Sequence, residues 1–175
     1  MTTVAERVQQ SLRAIPDYPK PGILFQDITP VLRDGPLLRE VVSDMCRPFR
    51  DREVTHVMGI EARGFILGGA VAAALGAGFV PARKPGKLPW ERASESYDLE
   101  YGSDSLEAHR DAWNRGSRVL VVDDVLATGG TARAAGQLAR GLGAELVGWS
   151  FLLEIGELAG RDRLSGAPYH TVARC

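Results

Sequence analysis

The stretch from Arg118 to Thr131, RVLVVDDVLATGGT, constrains the fold of this chain more than any other. Val119-Leu120-Val121-Val122 is short, β-branched and apolar at every position rather than at alternate ones. A strand with one wet face alternates, so this run suits a parallel strand covered by helices on both sides. Asp123 and Asp124 are expected at its carboxyl end, where ligands of open α/β sheets bind. Ala127-Thr128-Gly129-Gly130-Thr131 then turns the chain into a helical pattern of Ala132, Ala134, Ala135, Leu138, Ala139 and Leu142.

That order of residues is a binding-loop grammar. Glycines let backbone N–H groups approach a ligand closely, and the first turn of a helix carries unpaired donors and a partial positive charge, so the natural occupant is a phosphate. Thr128 and Thr131 add hydroxyl donors. The two carboxylates repel phosphate but accept hydrogen bonds from sugar hydroxyls, so one loop can hold a ribose together with its 5′-phosphate. A plain Asp-Asp helix cap followed by a glycine turn is the alternative. No G-x-x-x-x-G-K-[ST] occurs, and Gly141-Leu142-Gly143 falls at the end of a helix pattern rather than after a strand, so neither a P-loop nor a dinucleotide fingerprint is present.

Elsewhere strand and helix patterns alternate. Thr3 to Glu6 reads as a capping box for a helix carrying Val4, Val8, Leu12 and Ile15 up to Pro16. Three prolines between Pro16 and Pro21 predict a rigid irregular loop leading into an extended Ile23-Leu24-Phe25. A core helix starts at Asp34-Gly35-Pro36 and carries Leu37, Leu38, Val41, Val42, Met45, Cys46 and Phe49 on its apolar stripe. Strands are expected at residues 54–59, 79–82, 146–155 and 169–173, with an alanine-rich helix over 64–77 and a short helix over 158–164. Tyr97 to Tyr101 reads as a further strand, and Asp104 with Glu107 as the cap of another helix. The fold class is α/β with a parallel-rich central sheet flanked by helices, one domain over residues 1–175.

With 175 residues, 45% of them hydrophobic, the chain can build a substantial core, and a net charge of −1 supplies no basic field for nucleic acid or an anionic membrane. The amino terminus contains Glu6 and lacks an apolar core, so neither a signal nor a transit peptide is expected, and no apolar run is long enough to span a bilayer. Cys46 and Cys175 lack metal or disulfide spacing, and cytoplasmic residence is the expectation. Cys46 is expected in the core and Cys175 free, while His56, His109 and His170 have no site context.

Gly59-Ile60-Glu61-Ala62-Arg63-Gly64 repeats the strand-to-helix arrangement of the first loop. Backbone donors at Ala62, Arg63 and Gly64 with the Arg63 guanidinium suit a second anion, and a surface ion pair between Glu61 and Arg63 is the alternative. Arg83 to Ser96 breaks the alternation with prolines, charges and an exposed-looking Trp90. Such an insertion is either a mobile lid or a solvated connection, and the residues leave both open. Arg83, Lys84 and Lys87 at its base would neutralise a departing anion if it closes.

The loop at Asp123 to Thr131 resembles the phosphoribosyl-pyrophosphate loop of type I phosphoribosyltransferases. YPKPGILFQDITP from Tyr18, EARGF from Glu61, RKPGKLP from Arg83 and SYDLEYG from Ser96 look like the adenine-using branch of that family, in its order and spacing, up to about Glu154. The resemblance implies transfer of 5-phosphoribosyl from phosphoribosyl pyrophosphate to N9 of adenine, giving AMP and pyrophosphate in purine salvage. It implies a small hood at about residues 16–33 and a mobile lid at about 84–96. By it, Asp123 and Asp124 hold the ribose, and Ala127, Thr128, Gly129, Gly130 and Thr131 wrap the 5′-phosphate. Phe25 stacks on adenine beside the Leu24 backbone. Arg63, Lys84 and Lys87 meet pyrophosphate, Tyr101 contacts substrate, and Glu100 is the acid/base. Mg²⁺ would travel on the substrate's pyrophosphate, with Asp123 or Asp124 as its candidate protein ligand and no dedicated site. A homodimer and a cis peptide at Glu61-Ala62 are also implied.

The chain departs from that pattern at Gln26, where members often carry Arg or Lys, at the lid tip Pro89 to Arg92, and over Tyr169 to Cys175. On residues alone Phe25 would pass for a core aromatic and Glu100 for a surface acid. A relative acting on another purine base shares the loop. So does a phosphoribosyl-pyrophosphate-responsive regulator, which would need a DNA-binding module for which neither spare length nor a basic patch exists.

Overall fold

The computed structural model describes residues 2–98 and 103–175. In chain order the elements are α1 (Val4–Ser11), β1 (Arg13–Pro16), β2 (Leu24–Asp27), α2 (Thr29–Arg33), α3 (Gly35–Cys46), β3 (His56–Ile60), α4 (Gly64–Leu75), β4 (Gly78–Ala82), β5 (Arg92–Asp98), β6 (Ser103–His109), β7 (Arg118–Leu126), α5 (Gly130–Gly141), β8 (Glu145–Glu154) and β9 (Tyr169–Arg174). Five of the strands form a wholly parallel sheet in the order β4-β3-β7-β8-β9.

The unalternating run of β7 is covered on both faces. Leu120 and Val122 join a core with Val41 and Met45 of α3 and Leu67 and Val71 of α4, while Val119 and Val121 join a second core with Ala135, Leu138 and Ala139 of α5. A buried Val or Leu contributes about 1.5–3 kcal/mol, so this one strand is a large part of what fixes the sheet. Trp149 of β8 is buried against α5 and its indole N–H donates to the Ala132 carbonyl at 3.2 Å. No helix among the described residues is long and apolar enough to cross a membrane.

The amino-terminal hood is built from β1 and β2, paired antiparallel with Ile15 opposite Phe25, followed by α2. The capping box at Thr3 and Glu6 forms, but α1 stops at Ser11 instead of continuing to Ile15. Pro16 excludes Ile15 from the α region, and the strand pairing with β2 takes it instead. Pro48 similarly ends α3 at Cys46 and puts Phe49 in a 3-10 turn, Arg47–Phe49.

The region after β4 differs more. The expected helix capped by Asp104 is strand β6, paired antiparallel with β5 in the register Tyr97 opposite Asp104 and Ser94 opposite Glu107. Glu107 is buried, bonds Arg92 at 3.0 Å and receives the Gly86 N–H at 3.1 Å, so cross-strand partners override the local capping pattern. Residues 84–96 are therefore a turn segment running into an arm of this hairpin. The expected helix at 158–164 is two 3-10 turns, Gly156–Leu158 and Gly160–Arg163. Strand β7 also runs through Asp123 and Asp124 to Leu126, which places the acids inside the strand's last residues.

Candidate active site

Three loops leave the carboxyl ends of adjacent strands β4, β3 and β7, and parallel pairing brings them side by side. The loop after β7 carries Ala127 to Thr131. Gly129 is the N-cap of α5 in the left-handed conformation, φ 79°, with no side-chain cap, so the first-turn amides of the helix stay available to a ligand. A cavity of about 70 Å³ opens in the loop's concavity, lined by Asp123, Leu126, Ala127, Thr128, Gly129 and Thr131.

The acids are held in different ways. Asp123 is half-buried and its Oδ1 accepts from the Asp124 N–H at 2.8 Å. Burial, and then the neighbouring Asp124 carboxylate, push the Asp123 carboxyl well above the ordinary range, with Arg63 pulling the other way. Asp124 is almost fully buried and its Oδ2 lies 2.8 Å from Arg63 Nε, off the line of a hydrogen bond, which leaves that oxygen's acceptor capacity unused. The helix behind the acids packs close: a Cβ on Gly64 would stand 2.6 Å from Asp123 Oδ1.

Arg63 reaches in two directions. Besides Asp124 it covers Phe25, its guanidinium carbon 5.1 Å from the ring centroid, while Tyr18 packs edge-on to the same ring at 5.1 Å. Phe25 is thus half-buried at the hood's contact with the loop after β3, and Leu24 beside it is 56% exposed. The surface pair Glu61–Arg63 does not form. Glu61 instead bonds Arg83 Nε at 3.0 Å, the Lys84 N–H at 3.0 Å and Lys87 Nζ at 3.0 Å. Burial opposes its charge, but the bonds from Lys87, Lys84 and Arg83 outweigh burial and hold the Glu61 carboxyl below its ordinary value. The peptide between Glu61 and Ala62 is cis.

Lys84 Nζ lies 2.6 Å from Asp104 Oδ2, a contact that raises the ammonium pKa, and buried Tyr97 donates to the same oxygen at 3.3 Å. The basic residues at the lid base are therefore ion-paired, not bare. Of the sequence-derived candidates, Phe25, Arg63 and Asp124 are in direct contact, Asp123 lines one cavity with Ala127, Thr128, Gly129 and Thr131, and Lys84 and Lys87 are linked to Arg63 through Glu61 and the loop it shares. Glu100 and Tyr101 lie outside the described residues. Glu61, Asp104, Tyr97 and Gly160 were not among the candidates. Their partners are distant in sequence, and only Glu61, two residues before Arg63, carried a local signal.

The histidines are engaged structurally: His170 Nε2 with Asp44 Oδ2 at 2.8 Å, His56 with Thr55 at 3.0 Å, His109 with the Pro89 carbonyl at 2.7 Å. Cys46 is buried and Cys175 exposed, both free. Among the described residues no group of three or more His, Cys, Asp or Glu is placed to hold a metal. The spare oxygen of Asp124 and the half-open Asp123 fit an ion that arrives with a phosphorylated substrate and keeps most of its own waters, as magnesium does.

Residues 37–165 match the phosphoribosyl transferase domain family. The adenine phosphoribosyltransferase of Myxococcus xanthus is 58% identical over 163 residues, 93% of this chain and 89% of that protein. The crystal structure of adenine phosphoribosyltransferase from Rhodothermus marinus superposes with a TM-score of 0.95 at 52% identity over 98% of both chains. That of the Saccharomyces cerevisiae enzyme, complexed with D-2,5-dideoxy-2,5-imino-altritol 1,6-bisphosphate and adenine, gives 0.90 at 40% identity over 97% of this chain and 98% of that one.

Proposed function

Because this chain belongs to the phosphoribosyl transferase family, among the adenine phosphoribosyltransferases, we propose that it transfers the 5-phosphoribosyl group of phosphoribosyl pyrophosphate to N9 of adenine, releasing pyrophosphate and AMP in purine salvage. The observation that carries the reading is the junction of Asp123 and Asp124 with an uncapped helix start at Gly129, bridged by Arg63 to Phe25.

In this reading the amides of residues 127–131 and the Thr128 and Thr131 hydroxyls donate to the 5′-phosphate. Asp123 and Asp124 accept from the ribose hydroxyls. As the bond from C1 to the pyrophosphate oxygen breaks ahead of the bond to N9, positive charge develops on the ribose, and the two carboxylates stabilise it. Arg63, Lys84 and Lys87 bind the pyrophosphate, and the lid closes over it to exclude water. Phe25 stacks on the adenine ring, the Leu24 backbone reads its edge, Tyr101 contacts substrate, and Glu100 handles the imidazole proton. Asp123 or Asp124 would hold the Mg²⁺ that arrives with the pyrophosphate, and the ion would neutralise charge on the leaving group.

The proposal extends to a single domain over residues 1–175, cytoplasmic residence and a homodimer. The dimer is supported by the edge position of β4, which leaves Phe79 38% exposed, and by Ile66 of α4 at 52%.

The test is pyrophosphate release with phosphoribosyl pyrophosphate and Mg²⁺, offering adenine, hypoxanthine, guanine and xanthine in parallel. Release with adenine alone is expected. Release with another base would keep the loop assignments and overturn those of Phe25 and Leu24, and silence with every base despite tight phosphoribosyl-pyrophosphate binding would point to a regulator.

A further inference from the structure

The phosphate loop is braced from behind by a turn that no catalytic role accounts for. Gly160, the first residue of the second 3-10 turn, lies backbone to backbone against Ala127 and Gly129: a Cβ on Gly160 would collide with the Ala127 carbonyl, and one on Gly129 with the Gly160 carbonyl. No side chain fits between the two segments. The turn itself is fixed by left-handed Ala159, φ 48°, and by the bonds from Asp162 N–H to the Ala159 carbonyl and from Leu164 N–H to the Arg161 carbonyl, both 3.0 Å.

Next in the chain, Arg161 places its Nε 2.9 Å from Oε1 of Glu154, a carboxylate that is 2% exposed and ends strand β8. Glu154 stands opposite Leu126 in the sheet, the residue just before the phosphate loop, and the Ile155 N–H bonds the Leu126 carbonyl at 2.9 Å. Arg174 Nε is 4.0 Å from the same Glu154 oxygen but its side chain is mostly in solvent, so Arg161 is the close partner. Among the described residues Oε1 makes no hydrogen bond, so the pair acts through charge: moving Arg161 away would leave the buried carboxylate only the more distant and exposed Arg174. One end of the loop is thereby tied to the sheet and its middle to Gly160, with Glu154 anchoring both.

We propose that Glu154, Arg161 and Gly160 form a rear clamp that sets the curvature of the loop at Ala127 to Gly129, with Arg161 a positioning residue for the 5′-phosphate. The inference rests on the proposed function, since it assumes that this loop binds a phosphate. Displacing loop amides by a fraction of an ångström weakens ligands that carry a 5′-phosphate, AMP and phosphoribosyl pyrophosphate, and spares adenine, which does not.

The experiment compares purified full-length protein with Glu154→Gln/Arg161→Gln, which removes both charges together and leaves no stranded buried ion, with Gly160→Ala, and with the milder Arg161→Lys. AMP affinity is read by calorimetry and the KM values for phosphoribosyl pyrophosphate and adenine by turnover. The double variant and Gly160→Ala are expected to weaken AMP and raise the phosphoribosyl-pyrophosphate KM by about tenfold, the scale of a small misplacement in a site, with the adenine KM within twofold of the parent. Arg161→Lys should show the same division at smaller size. Equal losses for AMP and adenine, or unchanged AMP affinity in all three, would overturn the clamp while leaving the function standing. Absence of AMP binding by the parent protein would instead defeat the functional reading and the clamp with it.

Discussion

Gly64→Ala is a minimal perturbation that reaches Asp123, one of the two acids proposed to hold the ribose, from a neighbouring element. Gly64 opens α4, and an added Cβ would lie 2.6 Å from Asp123 Oδ1, 3.2 Å from Asp123 Cα and 3.2 Å from the Val122 carbonyl. Comfortable carbon–oxygen contacts are about 3.3–3.6 Å, so roughly 0.7–1 Å must be absorbed. Asp123 cannot simply rotate away, since Oδ1 accepts the Asp124 N–H at 2.8 Å, and the other two atoms are backbone of the central strand. Overpacking of this kind costs about 2 kcal/mol, of which alanine's better helix propensity returns about 0.5 kcal/mol. At roughly 2–4 °C per kcal/mol for a chain of this size, Tm should fall by about 3–6 °C. A displaced Asp123 is misaligned for the ribose, so kcat/KM for phosphoribosyl pyrophosphate should drop about 10- to 100-fold. Thermal unfolding and steady-state kinetics measure both. A variant with parental Tm and kcat/KM within twofold would refute the argument that Gly64 is there to admit Asp123.

Two further substitutions separate the site's charges through their pH dependence. Asp123 has a raised folded-state pKa, so the stability linked to its neutral form is complete below the unfolded carboxylate range and is lost as pH rises through the folded value. Asp123→Asn should therefore be more stable than the parent by about 1 kcal/mol at pH 8, with the gain shrinking towards pH 4, while turnover collapses; no gain at pH 8 would contradict the raised pKa. Glu61 has the opposite sign. Its lowered pKa makes its bonds to Lys87, Lys84 and Arg83 stabilising above the ordinary value of 4.5 and lost as pH falls through the folded one. Because Lys87 is half exposed, Glu61→Gln should cost only about 1–2 kcal/mol near pH 7, and that deficit should close on acidification. A deficit that is the same at pH 3 as at pH 7 would show that the loss is packing rather than charge.

Much of the fold was legible because its strongest signals are local. The β-branched run at Val119 to Val122 identifies a strand covered twice, and the glycine loop followed by spaced alanines identifies the start of α5, since both depend only on neighbours in the chain. The hairpin of β5 and β6 was not legible. Asp104 and Glu107 mimic a capping box, and only the cross-strand contacts to Tyr97, Arg92 and the segment after β4 make strand the better state. The same limit applied to the site. The residue pattern proposes Arg63 as an anion ligand, but it does not show that its partner is Asp124 on another strand instead of Glu61 two residues away. Gly160 gave no signal at all, because its need for glycine comes from a backbone that arrives from β7. The proposed roles of Glu100 and Tyr101 rest on the family resemblance alone.

These pairings bear on how a chain of net charge −1 can bind a substrate as anionic as phosphoribosyl pyrophosphate. Arg63 is held by Asp124, Lys84 by Asp104, and Lys87 by Glu61. Binding in the proposed mode is consequently an exchange of partners and not the filling of a bare cationic hole. As Arg63 turns to pyrophosphate, Asp124 is released to the ribose hydroxyls, so one movement supplies a donor to the leaving group and an acceptor to the sugar. Asp124 and Glu61 have buried carboxylates, so separating these pairs is offset only as the ribose hydroxyls and the substrate's charge take over as partners. Arg63 also lies over Phe25 before the exchange, on the ring proposed to stack with adenine. In the proposed mode, moving the guanidinium to pyrophosphate would uncover the face of Phe25 that it now occupies.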